Sequence, residues 1–386
     1  MNSKLRTQTM SIFVTSLFLA RCGEATFGTG SSGRGSDNTP ETSSLAGLDW
    51  YWQCDSAPGS APSQEKGRRV ITGSGTHEMS KQEFEKGVPV SISGKLCPPA
   101  KYPRDIVFVV DVSRSMAMDR PQDGNDAITN QSCNRMRAIE EVIADATSQG
   151  SDARFGITTF TNVEIHSSAM FANKDELFAD IGKINNSTPA EAICAAVLGT
   201  YYGKGMSGAN TLLSGSRKNA IKEIYFVSDG APEDGSAGPD IATAMKTNGI
   251  TIDGQSHKVQ IATAMIGSTL ATNATKLKEM ASLDPSGNPL TANGVKASDL
   301  AKTLRGFAEN KIDDGTLKYR PVGEDDWTSV ALKGNMTGND FKIPNFNLSP
   351  AEAPDGLEVS FEYRDKYNNV YASGGTIKWT VQKKKP

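Results

Sequence analysis

Three oxygen-bearing side chains, Asp111, Ser113 and Ser115, follow directly on the apolar run Ile106–Val110. Their alternate spacing lets all three turn toward a common point if the chain curls into a loop. A carboxylate with two hydroxyls is a hard-oxygen ligand set, which suits Mg²⁺, Mn²⁺ or Ca²⁺ and does not suit zinc. The segment therefore predicts a site for a divalent cation.

The run before these residues has the composition of a strand that is buried on both faces. Every residue of Ile106–Val110 is β-branched or aromatic, as is typical of parallel strands covered by helices on both sides. In open α/β sheets, ligand sites lie beyond the carboxyl ends of the strands. Asp111 falls at such an end, so the sheet itself would position the site.

Residues 102–311 alternate apolar runs with amphipathic helical stretches. This alternation indicates crossover units, and hence an α/β domain with a doubly wound, mainly parallel sheet and helices on both faces. We predict strands at 106–110, 155–160, 221–227 and 259–266. We predict helices at 134–149, 174–184, 189–201, 240–248, 274–282 and 298–311.

The two flanks of this domain have β character. Residues 48–101 and 312–386 contain short alternating runs, separated in the second flank by Pro, Gly and Asn. The first flank is too small to fold comfortably alone. We therefore expect one small all-β sandwich built from both flanks, with the α/β domain inserted in a loop. Two unrelated small β modules are the alternative.

Residues 1–22 are typical of an export signal. Lys4 and Arg6 precede a short, mostly apolar segment at 10–20, which is too short to span a bilayer. Residues 23–47 are rich in Gly, Ser and Thr, a composition that predicts a flexible tether. The chain is therefore expected to act outside the cytoplasm.

The end of this signal is similar to a bacterial lipobox. In the sequence Leu19-Ala20-Arg21-Cys22, the cysteine would be lipidated, although Arg21 stands where such signals have a small residue. Cleavage after Ala25 is the alternative. With Cys22 lipidated, the chain is an outer membrane lipoprotein, periplasmic or at the cell surface. No other long apolar run exists, so membrane attachment is expected only through that anchor.

Charge and composition exclude several classes of function. The formal net charge is −3, and no basic, aromatic-rich face is present, so nucleic-acid binding is not expected. The three histidines lack metal-ligand spacing, and the G-x-S-x-G pattern of serine hydrolases is absent. Ser113 also occupies the position where phosphatases that begin with a strand-end aspartate need a second aspartate. No enzyme is expected.

Two later segments complete a resemblance to the von Willebrand factor A domain, which also occurs as an inserted domain in integrins. That family's metal-ion-dependent adhesion site combines a D-x-S-x-S loop, a threonine from a second loop and an aspartate from a third. The matching residues here are Asp111, Ser113, Ser115, Thr188 and Asp229. Thr188 stands just before a predicted helix, and Asp229 ends an apolar strand. The resemblance covers residues 102–311.

The resemblance implies that the two serines and Thr188 contact the cation, while both aspartates act largely through bound waters. An open coordination position would then accept an Asp or Glu carboxylate from a partner protein. We therefore expect cation-dependent adhesion or protein recognition in the cell envelope. A structural or assembly subunit of an envelope or pilus-like complex, without a cation-dependent ligand, is the alternative. Thr188 could also simply cap its helix.

Five cysteines are present, and removing Cys22 by lipidation or cleavage leaves four. An even number suits disulfides in an oxidising compartment, although four free thiols are the alternative. Three pairings are possible, and sequence order favours Cys54–Cys97 and Cys133–Cys194. The second pair would link two helices that start at the expected metal face.

The loop 117–132 carries Asp119, Asp123 and Asp126 close to Gly124. These carboxylates could form a second, Ca²⁺-binding site, although polar turn residues account for the same composition. The loop is expected at the rim of the metal site.

Overall fold

A computed structural model of the chain describes residues 49–380, apart from 54–62, 66–67, 75–76, 81–89, 97–100, 119–123, 149–150, 184–187, 231, 268–270, 311, 347, 349–351 and 354. The described residues belong to the unit Gly47–Pro386. The expected export signal with Cys22, the tether and the pair Cys54–Cys97 lie outside the described residues.

Five short strands precede the α/β domain. They are β1 (Asp49–Gln53), β2 (Ser63–Glu65), β3 (Arg68–Ser74), β4 (His77–Ser80) and β5 (Val90–Lys95).

The α/β domain contains a six-stranded sheet and a small hairpin. Its strands are β6 (Arg104–Asp111), β7 (Ala153–Phe160), β8 (Glu164–Ser167), β9 (Ile221–Ser228), β10 (Ile250–Ile252), β11 (Gln255–His257), β12 (Val259–Ile266) and β13 (Thr291–Val295). The sheet order is β13-β12-β9-β6-β7-β8, and only β8 runs antiparallel to its neighbour. The predicted mainly parallel sheet is confirmed, with β8 and β13 as edge strands that the sequence did not reveal.

Helices cover both faces of this sheet. They are α1 (Asn134–Ser148), α2 (Lys174–Gly182), α3 (Pro189–Ile193), α4 (Tyr202–Ser214), α5 (Ala237–Thr247), α6 (Ala271–Met280) and α7 (Leu300–Ala308). Within the described ranges, no helix has both the length and the apolar character that a bilayer crossing needs. The final helix is shorter than the predicted 298–311, because its first turn is a 3-10 helix and β14 begins at Ile312.

Successive residues of β6 point to opposite faces, as the pleat of a strand requires. Phe108 and Val110 contribute to a core with α1, α2, α3 and α7, whereas Val107 and Val109 contribute to a second core with α4, α5 and α6. All eight residues of β6 are buried. Burial on both sides explains the continuous apolar composition of this strand and holds its carboxyl end in place.

The predicted helix at 189–201 begins at Pro189 as expected, but its predicted length is wrong. Helix α3 ends at Ile193, and the longer helix α4 begins only at Tyr202. The sequence of α4 is rich in glycine, which weakens a helix prediction. Close packing explains that composition, because a Cβ atom on Gly205 would lie 2.6 Å from the Phe160 side chain and 2.7 Å from that of Val109.

Six strands follow the α/β domain. They are β14 (Ile312–Pro321), β15 (Thr328–Ala331), β16 (Met336–Thr337), β17 (Asp340–Phe346), β18 (Leu357–Asp365) and β19 (Val370–Thr380). They pair with the strands of the first flank in two sheets. The first has the order β1-β5-β17-β16, and the second the order β15-β14-β18-β19-β3-β2, with β4 also on β19. Ile92 and Phe341 of the first sheet share one hydrophobic core with Leu317 and Phe361 of the second.

The turn between β18 and β19 meets the α/β domain at the amino-terminal edge of its sheet. The Lys366 Nζ donates to Glu223 Oε1 at 3.2 Å, and the Arg104 Nε donates to Glu223 Oε2 at 2.6 Å. Burial lowers the pKa of Lys366 to about 8, although Glu223 opposes this shift. Burial alone would raise the pKa of Glu223, but the charges of Arg104 and Lys366 outweigh it and lower that pKa. This buried polar cluster links the β strands to the domain.

Candidate metal centre

Strand β6 carries Asp111 to the carboxyl edge of the sheet, where its side chain is fully buried. Its Oδ1 accepts the Ser113 backbone N–H at 2.7 Å, and its Oδ2 accepts the Ser228 hydroxyl at 2.5 Å. Burial raises the pKa of Asp111, and the hydrogen bonds from Ser228 and Ser113 offset this rise only in part. A nearby cation would favour the charged form of this carboxylate.

The two serines continue from Asp111 into a tight turn, with a 3-10 helix at Arg114–Ala117. The Oγ atoms of Ser113 and Ser115 lie 3.0 Å apart, and the Ser115 hydroxyl donates to Asp229 Oδ1 at 2.9 Å. The Gly124 N–H donates to Asp229 Oδ2 at 2.8 Å. Asp111, Ser113, Ser115 and Asp229 are therefore joined in one hydrogen-bonded group.

A buried ion pair between α1 and the loop that precedes it supports this group. The Arg135 Nε donates to Asp126 Oδ2 at 2.8 Å, and the Arg135 Nη1 donates to the Asp111 carbonyl oxygen at 2.6 Å. Asp126 also accepts two hydrogen bonds from Asn134, at the start of α1. Asp126 thus caps a helix and binds Arg135, which argues against its use in a second cation site. Asp119 and Asp123 lie outside the described residues.

The structure does not bring Thr188 to this group. Thr188 is exposed, and its Oγ1 accepts the Glu191 N–H at 3.2 Å while its own N–H donates to the Glu191 carboxylate at 2.6 Å. The hydrogen bonds from Thr188 lower the pKa of Glu191. This reciprocal pair is a capping box. Both of these hydrogen bonds hold Thr188 at the start of α3.

A different threonine, Thr200, lies next to the group. Thr200 is buried, and a Cβ atom placed on Gly230 would lie 3.7 Å from Thr200 Oγ1 and 3.9 Å from Ser115 Oγ. Both hydroxyls therefore face the same small space beside Asp229. No side-chain hydrogen bond to the Thr200 hydroxyl is formed by another described residue. Thr200 lies two residues before the start of α4 at Tyr202, and the sequence pattern predicted no helix start at that position.

The predicted disulfide Cys133–Cys194 is present, with its Cα atoms 5.9 Å apart. Cys133 directly precedes α1, and Cys194 directly follows α3 as its C-cap. Both cysteines are buried. The bond links the loop beside Gly124 to the segment that leads to Thr200, so it fixes two of the loops that surround the group.

The side chains that converge here fit a hard divalent cation. They are the hydroxyls of Ser113, Ser115 and Thr200 and the carboxylates of Asp111 and Asp229. In the described ranges, no group of three or more His, Cys, Asp or Glu side chains could hold a metal. The donors at this centre are therefore mainly hydroxyls with two carboxylates, which suits Mg²⁺ or Mn²⁺.

Comparisons with known proteins identify the family of the α/β domain. The family model of the von Willebrand factor type A domain matches residues 105–303, more than half of the chain. No curated protein matches the chain significantly.

Several solved structures are similar at low identity. The pilus adhesin SpaC from Lactobacillus rhamnosus GG is 15% identical with a TM-score of 0.41, over 69% of this chain and 40% of SpaC. The vWF domain of the type V pili tip protein Mfa5 from Porphyromonas gingivalis is 16% identical with a TM-score of 0.37, over 54% of this chain and 95% of that domain. Proximal thread matrix protein 1 from the mussel byssus, with a zinc occupied MIDAS motif, is 17% identical with a TM-score of 0.37. The match covers 54% of this chain and 45% of the mussel protein.

The chain spans less than half the length of SpaC and of the mussel protein. Similarity at this level carries no functional argument, so the assignment rests on the family match and on the residues at the sheet edge. The chain belongs to the von Willebrand factor type A domain family.

Proposed function

We propose that this protein recognises a partner protein in the cell envelope by binding one of its Asp or Glu carboxylates through a divalent cation. The observation that supports this proposal is the convergence of oxygen donors from three separate loops. Asp111 and the serines follow β6, Thr200 precedes α4, and Asp229 follows β9. Hydrogen bonds connect the serines with the two carboxylates, and the Thr200 hydroxyl lies close to that of Ser115.

The hydroxyls of Ser113, Ser115 and Thr200 would contact the cation, and Asp111 and Asp229 would balance its charge. Thr200 takes the role that sequence reasoning had assigned to Thr188. A bound cation supplies Lewis acidity at the sheet edge. Because the contacting protein groups are neutral hydroxyls, the ion stays electrophilic and favours a negatively charged external ligand. We propose Mg²⁺ as the cation, with Mn²⁺ or Ca²⁺ as substitutes.

The protein's location is part of the proposal. The basic and apolar residues 1–20, followed by Cys22, support export and lipid anchoring at the outer membrane. The disulfide Cys133–Cys194 supports an oxidising compartment. A chain anchored through Cys22 would present its metal face to partners in the periplasm or at the cell surface. The proposed activity is recognition without catalysis.

The test is cation-dependent capture of envelope proteins. The purified mature protein, immobilised in Mg²⁺, should retain a partner from a detergent-solubilised envelope fraction and release it in EDTA. Asp229→Ala should retain nothing, and Glu233→Ala, a change on the neighbouring loop outside the metal group, should behave as the unmodified protein. Capture that survives both EDTA and Asp229→Ala would refute cation-dependent recognition and favour a structural or assembly role.

A further inference from the structure

Exposed apolar side chains concentrate around the metal centre. Among the described residues, six large apolar side chains are exposed, and four of them are on loops beside the metal group. These four are Ile128 (47% exposed), Val163 (53%), Val197 (42%) and Leu198 (69%). Single exposed apolar residues are common, but clusters of them mark contact surfaces.

Val197 and Leu198 lie between the serine loop and Thr200. The Val197 N–H donates to the Val112 carbonyl oxygen at 2.9 Å. Val197 and Ser113 form an isolated parallel β-bridge. Leu198 follows directly and precedes Gly199-Thr200. The backbone therefore holds these two apolar side chains next to the proposed cation ligands.

Val163 reaches the same region from the turn after β7. The Thr161 N–H donates to the Val163 carbonyl oxygen at 2.9 Å, and the Tyr201 N–H donates to the Thr161 carbonyl oxygen at 2.9 Å. A Cβ atom on Gly199 would lie 2.8 Å from Asn162 Cβ. The turn that carries Val163 thus packs directly against the segment of Leu198 and Thr200.

Ile128 is part of the loop that begins at Gly124 and ends at Cys133. Gly124 binds Asp229, and Cys133 is bonded to Cys194, three residues before Val197. Both ends of the Ile128 loop are therefore attached to the metal centre. Apolar groups that are held in place before binding lose little conformational entropy when a partner docks.

The charge beside these residues indicates what kind of partner fits. Arg114 is exposed between Ser113 and Ser115, and it forms no ion pair with any other described residue. An unpaired guanidinium next to a bound cation attracts an acidic group. The aliphatic side chains around Arg114 would bury no apolar surface against a ligand that is polar throughout, such as a sulfated polysaccharide.

We propose that Ile128, Val163, Val197 and Leu198 form an apolar rim that binds aliphatic or aromatic side chains flanking the carboxylate of the partner protein. The rim selects, among acidic segments, those with apolar residues within two positions of the Asp or Glu. This inference rests on the proposed function, because the cation places the carboxylate at the centre of the rim.

The experiment selects ligands from a library of random nine-residue peptides displayed on phage, with the full mature protein immobilised in Mg²⁺ and bound phage eluted with EDTA. The eluted peptides should share an Asp or Glu with an apolar residue within two positions. A synthetic copy of the best peptide should bind the Val163→Ser/Leu198→Ser double variant at least about tenfold more weakly, a loss of the size that buried anchor residues produce.

The matched control is Leu283→Ser. Leu283 is 63% exposed, and the preceding Ser282 N–H bonds to the Ile261 carbonyl, near the amino-terminal end of β12 and far along the strand from the metal edge. This variant should bind the peptide as the unmodified protein does. Mg²⁺ affinity, measured by calorimetry, should be unchanged in every rim variant. If the double variant loses Mg²⁺ affinity or fails to fold, Leu198→Ser alone is the deciding variant.

The outcomes separate the two proposals. Acidic peptides without neighbouring apolar residues, or a peptide affinity that the rim variants leave unchanged, would overturn the rim and leave cation-dependent recognition standing. A selection that enriches no EDTA-eluted peptide, or enriches peptides without Asp or Glu, would overturn the proposed function and the rim with it. EDTA-sensitive binding of heparin with no such peptide would likewise overturn both, since a polysaccharide is not a protein ligand.

Discussion

The buried ion pair beneath the metal group makes Arg135→Met the most informative single change to the fold. Arg135 is 1% exposed, and its guanidinium joins Asp126 to the carbonyl oxygen of Asp111. Methionine fills similar space with no charge. The substitution therefore leaves the Asp126 carboxylate buried without a counter-charge and leaves the Asp111 carbonyl without this donor.

Removing one partner of a buried pair typically costs about 3–5 kcal/mol of unfolding free energy, whereas an exposed pair contributes less than about 1 kcal/mol. Both side chains of this pair are at most 1% exposed, so the larger figure applies. For a domain of this size, the loss corresponds to a melting temperature lower by roughly 6–20 °C. Because Arg135 also holds the start of the serine loop, Mg²⁺ affinity should fall by about tenfold or more.

The assay is urea unfolding of Arg135→Met, Asp126→Asn and the double variant, followed by fluorescence and circular dichroism. In the double variant no uncompensated charge is buried, so its destabilisation should be smaller than the sum of the single effects by about 1–3 kcal/mol. Arg137→Met, an exposed change two residues further along α1, is the control and should have little effect. A loss below about 1 kcal/mol in Arg135→Met, or additive single effects, would refute this account of the pair.

Three further predictions concern the same domain. Replacing Cys133 and Cys194 together by alanine should lower the unfolding free energy by about 4 kcal/mol in a guanidinium titration, because the bond closes a loop with a sequence separation of 61. Gly205→Ala should destabilise the protein by about 1–3 kcal/mol in thermal unfolding, since its Cβ would overlap Phe160. Glu223→Gln should be less stable than the unmodified protein above pH 4.5, and the difference should shrink on acidification, because the folded-state pKa of Glu223 lies below its ordinary value of 4.5.

For each of these three predictions, a specific result would contradict its physical reason. A variant without Cys133 and Cys194 that is as stable as the oxidised parent would show that this loop closure contributes nothing. Gly306→Ala is the control for Gly205, because a Cβ at that helical position meets no atom within 4 Å. Equal loss at both glycines would contradict the packing explanation. A stability difference for Glu223→Gln that grows on acidification would show that the carboxylate is not stabilised by Arg104 and Lys366.

The strands that carry the metal group were predictable because their burial is complete. Ile106–Val110 is apolar throughout, and Ile221–Val227 is apolar apart from Lys222 and Glu223, as is typical of strands covered on both faces. The polar residues that end them, Asp111 and Asp229, therefore appeared at the correct edge of the sheet from the sequence alone. The pairing of Cys133 with Cys194 followed from their place at the same edge.

The sequence pattern favoured Thr188 over Thr200, the ligand that we propose in its place. The sequence Thr188-Pro-Ala-Glu191 is a strong helix start, and it forms one. Helix α4, which Thr200 precedes, contains Gly205, where packing against Phe160 leaves no room for a side chain. Apolar periodicity is weak in this helix, because glycines occupy part of its buried face.

The alternation of polar and apolar residues also could not predict how the flanking strands pair with one another. Strand β5 pairs in parallel with β1 and antiparallel with β17, and β19 pairs in parallel with β3. Alternating polar and apolar residues identify a half-buried strand but not its neighbour. The contact of Lys366 with Glu223 depends on that three-dimensional arrangement and has no sequence pattern of its own.

The most direct test of the metal centre is a calorimetric titration of the purified protein with Mg²⁺, compared between Thr200→Val and Thr188→Val. Valine has the shape of threonine without the hydroxyl, so each variant removes one candidate ligand oxygen. The unmodified protein should bind one ion, Thr200→Val should bind it at least about tenfold more weakly, and Thr188→Val should bind it unchanged. An unmodified protein that binds no Mg²⁺, or a loss confined to Thr188→Val, would contradict the proposed centre.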